Sequence, residues 1–62
     1  MKLLDVIYNE RIAFSKSENN YYIEHGLIRV NDVVIKNPEH EINVGDIISV
    51  GEKEIYKRFK VK

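Results

Sequence analysis

The segment "SKSENNYYIEHG", Ser15 to Gly26, leaves room for little other than a short helix. Ser15 followed three residues later by Glu18 is a capping box, in which each side chain satisfies a backbone N–H left free at a helix start. Gly26 is the matching stop, because glycine takes the left-handed conformation after a last helical turn without strain. About ten residues lie between these signals, too few for a helix that stands alone. It must dock, and Tyr22 and Ile23, with Tyr21 in part, are the side chains to dock it. Directly after Gly26 the apolar period changes from helical to alternating. "LIRVNDVVIK" puts Ile28 and Val30 on one side and Arg29 on the other, then breaks at Asn31-Asp32, two residues that tolerate positive φ and suit a hairpin turn.

The flanks extend this unit in both directions. Leu3, Leu4, Ile7 and Tyr8 fall on one side of a short helix over residues 3–9, with Asp5, Asn9 and Glu10 outward. In the connection that follows, Ile12 or Phe14 is expected to pack beneath the second helix. "NPEHEINVGD" reads as a polar connection, with Pro38 disfavouring helix and Gly45-Asp46 marking a turn. "IISV" is a third strand, broken by Gly51, and "EIYKRFKVK" alternates again. In that last strand Ile55, Lys57, Phe59 and Val61 share one face, and Tyr56, Arg58, Lys60 and Lys62 share the other. The expected class is α+β: two short helices packed on a small, twisted antiparallel sheet, as one domain over residues 1–62.

Composition narrows what such a domain does. With 62 residues, 44% hydrophobic and 32% charged, the chain is apolar enough to fold but too short to close a second lobe over a substrate. There is no cysteine, which excludes a disulfide framework and a thiolate metal site and fits a reducing compartment. "MKLLDVIYNER" meets Asp5, Glu10 and Arg11 too soon to be a signal peptide or a membrane span, so a cytoplasmic location without membrane contact is expected. The charge sums to zero but is uneven. Residues 1–51 hold five basic and eight acidic side chains, whereas residues 52–62 hold five basic and two acidic.

The order of elements, with "SKSE", Ile23 and Gly26 three apart, "IRVND" and "VGDIISV", resembles the S-four RNA-binding domain, also called the alpha-L motif. The resemblance spans about residues 3–50. It implies a non-catalytic module that binds structured RNA, a tRNA or an rRNA, through the second helix and the turn leading into it, without cofactor or metal. The basic strand after "VGDIISV" is similar to the end of the S-four module at the carboxyl terminus of bacterial tyrosyl-tRNA synthetases. An excised synthetase module, a ribosomal-protein relationship and a free-standing small S-four protein all fit. Carried over by position, Ser15, Lys16 and Ser17 lie at the helix amino terminus against a phosphate, where free N–H groups and the dipole favour an anion.

The family usually continues "SEARRLI", with a small alanine inside and two arginines outside, whereas this chain has Asn19, Asn20 and Tyr21 at those three positions. The missing arginines shift the expected RNA contacts to Arg11, Lys16, Tyr21 and Arg29, and to the carboxyl-terminal set of Tyr56, Lys57, Arg58, Lys60 and Lys62. Each of these residues also has a plainer role. Ser15 and Ser17 are a cap and its neighbour, and about two of the four tyrosines belong in the core. The cations of the last strand keep an exposed edge from pairing with another chain. His25 suits a helix carboxyl end, and it and His40 have no third ligand for a metal. A competing function is a degenerate scaffold kept for protein–protein contact. Catalysis ranks last, since no nucleophile–base or paired-carboxylate arrangement can be drawn from the spacing.

Overall fold

A computed structural model describes residues 1–62. The expected elements form in the expected order: α1 (Leu3–Asn9), α2 (Lys16–Glu24), β1 (Ile28–Val30), β2 (Val33–Val34), β3 (Ile47–Val50) and β4 (Lys57–Lys60). The strands make one antiparallel sheet in the order β2-β1-β3-β4. Asn31 and Asp32 take φ of 51° and 68°, the doubly left-handed turn that matches the twist of a tight hairpin.

Both helices end in the same way. After α2, Gly26 donates to the Ile23 carbonyl and Leu27 to that of Tyr22, which closes the last turn. After α1, Arg11 and Ile12 donate to Tyr8 and Ile7 in the same pattern, but here the left-handed position, φ 58°, is held by Arg11. For a side chain with a Cβ this conformation costs on the order of 1 kcal/mol.

Leu3, Val6 and Ile7 of α1, Ile23 of α2, and Ile28, Val30, Ile48 and Val50 of the sheet form one buried cluster with Ile42 and Val61. Alternation along the strands therefore sends Arg29 and Ser49 to the other face. Several expectations are corrected here. Val6 is buried on α1, and Tyr8 lies at the margin with 37% exposure. Ile12 packs against the core, but Phe14 does not pack beneath α2 and is 92% exposed. Of the four tyrosines only Tyr22 packs against the core. The polar connection contributes a core residue, Ile42, because backbone bonds from Leu3 to His40, Leu4 to Pro38 and Ile42 to Met1 draw it along the first helix.

The turn before β3 is organised by one carboxylate. Asp46 accepts the Asn43 backbone N–H at 2.9 Å and the Asn31 side-chain amide at 3.1 Å, and Asn31 in turn accepts the Ile47 N–H at 3.0 Å. The Asn43 bond first, and the Asn31 bond second, hold the Asp46 carboxyl below its ordinary value of 3.8. A carboxyl lowered on folding stabilises the fold above its unfolded-state value, and that contribution disappears as pH falls through the folded-state value. The urea midpoint of the wild type should therefore exceed that of Asp46→Asn at neutral pH. The gap should narrow once pH drops below about 3.8. A gap that stayed constant across that range would remove the carboxylate's charge from the explanation.

Candidate nucleic-acid interface

Two groups of polar and aromatic side chains emerge, on different sides of the molecule. The first surrounds the start of α2. Ser15 is the N-cap; its hydroxyl accepts the Glu18 N–H at 3.1 Å and lies 3.4 Å from the Glu18 carboxylate. Its hydrogen-bonding capacity is thus engaged within the cap. The first-turn N–H groups beyond it, on Lys16 and Ser17, are those that a helix leaves without intrahelical partners.

Asn19 holds this turn in place. It is fully buried, and its side-chain amide donates to the carbonyls of Ala13 at 3.1 Å and Ser15 at 2.8 Å while its oxygen accepts the Ala13 N–H at 3.2 Å. It occupies the position where the resemblance places a small inside residue. Its polar character replaces the packing of a methyl group with three hydrogen bonds to the connecting backbone.

Around this frame Lys16 sits with its ammonium 5.6 Å from the centre of the Tyr8 ring and 3.8 Å from the Asp5 carboxylate. Both ends of that ion pair are more than half exposed, so it fixes Lys16 only weakly. Arg11, Tyr8 and Phe14 line a shared concavity formed by the end of α1 and the connection to α2. Further along α2, Tyr21 is 55% exposed and stacks on His25 with ring centres 3.9 Å apart. Ser17 and Tyr21 border a second, shallower depression with Glu18 and Tyr22.

The second group lies on the sheet face turned away from the core. Arg29, Ser49 and Arg58 are cross-strand neighbours in one row, and Lys60 pairs with Ile47 in the next. Arg58 donates from Nε to the Ser49 hydroxyl at 3.2 Å and reaches to 4.0 Å from Asp32 at the hairpin tip. Ser49 is fully buried between its neighbours, and the Arg29 Nε is enclosed without an acceptor.

Lys57 pairs with Val50 on the core-facing side of the strand but is exposed, and Lys62 is exposed beyond β4. Tyr56 precedes β4 and is mostly exposed. Partial burial, followed by the adjacent Tyr22 phenol, pushes its hydroxyl above the ordinary value of 10.0. The sequence-derived residues therefore divide. Arg11, Ser15, Lys16, Ser17 and Tyr21 cluster at α2, while Arg29, Arg58 and Lys60 cluster on the outer sheet face. Phe14 was missed as a member of the first cluster, which Tyr8 borders as well. The available signal was the residue four places into α2: an apolar side chain there would staple Phe14 down, and Asn19 cannot.

No group of His, Cys, Asp or Glu in the structure is arranged to hold a metal ion, and no helix is long and apolar enough to cross a membrane.

The helix pair, the hairpin with its "VND" turn and the "VGD" turn before β3 reproduce the features on which the family resemblance rests. The sequence matches the S4 domain family model over residues 1–48. It is 35% identical over 52 residues to the small ribosomal subunit protein uS4 of Saccharophagus degradans, covering 84% of this chain and 25% of that protein. The uS4 proteins of Hydrogenovibrio crunogenus, at 33% over 52 residues, and Endomicrobium trichonymphae, at 34% over 53, are comparably similar. The chain spans about a quarter of the length of these relatives. With the family pattern covering most of the chain and the two helices and antiparallel sheet in place, the chain belongs to the S4 domain family of RNA-binding domains.

Proposed function

We propose that the chain, as one domain over residues 1–62, is a non-catalytic module that binds structured RNA by phosphate and shape, with ribosomal RNA as the preferred target class. The observation that carries this reading is the start of α2, where Lys16 sits on the first turn with its backbone N–H groups free to meet a phosphate and Arg11 lines the concavity beside Phe14, the residue before the cap. The relatives' designation as small ribosomal subunit proteins supports ribosomal RNA over transfer RNA. A cytoplasmic location follows from that role.

Contacts are assigned in two sets. Arg11, Lys16, Ser17 and Tyr21, with the Ser15 cap holding the turn, meet one stretch of backbone. Arg29, Arg58 and Lys60 meet another from the outer sheet face, with Tyr56 and Lys57 at the start of β4 and Lys62 beyond its end adding to it. Because α2 carries Lys16 against Glu18 and Glu24, its affinity depends on few cations and the sheet set supplies the remainder.

Titration of an rRNA hairpin and a tRNA over a range of salt concentrations tests this. Log K against log salt should fall linearly, and Lys16→Ala should flatten the slope by about one unit. Arg58→Ala combined with Lys60→Ala should flatten it by about two. Failure to bind either RNA at low salt would overturn the reading. Preference for the tRNA would redirect the target class but leave the contacts standing.

A further inference from the structure

Phe14 is the most exposed large apolar side chain of the domain, and nothing in the fold uses it. Leaving a phenylalanine in water forfeits the stabilisation that burial of such a side chain normally provides. At the position before an N-cap, the usual role is a staple onto the residue four places into the helix. Here that residue is Asn19, whose side chain is turned to the Ala13 and Ser15 backbone.

The surroundings of Phe14 match one kind of ligand. Together with Tyr8, Asn9, Arg11 and Ala13 it lines a concavity of about 370 Å³. The Lys16 ammonium lies at the edge of this site, near the Tyr8 ring. Arg11 reaches it from a left-handed backbone position that glycine would occupy without strain, so a cation is kept there at a conformational cost. One fully exposed ring, a second at the margin and two cations close by complement an unpaired nucleotide, a π-face joined to a phosphate.

We propose that this concavity takes a single unpaired base, stacked on Phe14 with Tyr8 alongside, while Arg11 and Lys16 hold the adjoining phosphate. The proposal rests on the RNA-binding reading and narrows it: the RNA presents a bulged or looped base next to a duplex. Stacking tolerates any base, so the site selects for an unpaired nucleotide and not for a sequence.

The test uses the full chain and three RNA hairpins of the same stem: fully paired, with one bulged adenine, and with an abasic residue in its place. Wild type should bind the adenine bulge more tightly than the other two. Phe14→Ala should weaken binding of that hairpin by about fivefold to a hundredfold and leave the paired stem within about twofold. Phe14→Trp should keep the preference, which also guards against an effect on folding. Equal binding of all three hairpins would overturn the stacking site while RNA binding itself stood. No binding of any hairpin at low salt would overturn both. Concentration-dependent self-association abolished by Phe14→Ala would assign the side chain to a protein contact and overturn the proposal.

Discussion

Asn19→Ala is expected to lower the unfolding free energy by about 2–4 kcal/mol, because it strips partners from buried backbone groups as well as removing an amide. The Ala13 N–H and carbonyl lose their bonds to this side chain, and the Ser15 carbonyl keeps only its bond from the Asn19 backbone. The side chain is fully buried, so water has no open path to replace it. A domain of this size has a total stability of about 3–9 kcal/mol, so the loss is a large fraction of the whole and the thermal midpoint should fall by many degrees. Urea unfolding checks this directly. A loss below about 0.5 kcal/mol would mean that the turn had relaxed to pair its own groups. Asn19→Asp should not rescue it, since a carboxylate cannot donate to either carbonyl. The same bonds position Phe14, Ser15 and Lys16, so a variant that stays folded at low temperature should also bind RNA more weakly than wild type.

Gly51→Ala should cost about 2–3 kcal/mol, the range for a strained backbone position that also creates a steric clash. Gly51 has φ of 143°, and a Cβ there would clash with the Glu54 carbonyl oxygen and stand 3.0 Å from the Ile55 Cα. These are backbone atoms and cannot swing aside as a side-chain end would. The turn would have to open, weakening the bonds from Gly51 to the Leu27 carbonyl and from Tyr56 to that of Val50. Gly45→Ala is the matched control. Gly45 has φ of 99° with nothing within 4 Å of the added carbon, so only the conformational cost of about 1 kcal/mol applies. Thermal unfolding of the two variants separates the steric contribution from the conformational one. Equal destabilisation would show that the β3–β4 turn yields freely. Because β4 follows this turn, Gly51→Ala should also disturb the row of Arg29, Ser49 and Arg58.

Much of the fold was legible because its signals are local. Ser15, Glu18 and Gly26 bound α2, and Asn31-Asp32 mark the hairpin, since a cap or turn is decided by the residues that make it. Alternation placed Ile28 and Val30 inward and Arg29 outward. Three features escaped for a common reason. Ile42 is buried although its neighbours are polar, because the connection is stitched to the first helix by bonds spanning some forty residues. Phe14 is apolar yet exposed, because the surface that would cover it is occupied by the polar Asn19. Arg11 takes the left-handed position after α1, where glycine is usual, and although the helix was bounded correctly over residues 3–9 no local signal marked this conformation.

The candidate site divides along the same line. Lys16, Arg11 and the helix start were readable as chemistry that suits a phosphate, and the carboxyl-terminal cations as a local excess of charge. Sequence proximity could not tell that Arg58 would bond to Ser49 in a row with Arg29, or that this row would stand apart from the cations at α2. By itself, then, the sequence determined the element order, the caps, the hairpin and the family, all of which depend on short-range periodicity and backbone preference. Only the tertiary structure decided which polar side chains are consumed internally and which aromatic ones are left in water. Burial is a property of the assembled surfaces: the polar Asn19 fills the inside position and Phe14 is left in water because hydrogen bonds to one short backbone segment outweigh the transfer of one ring from water.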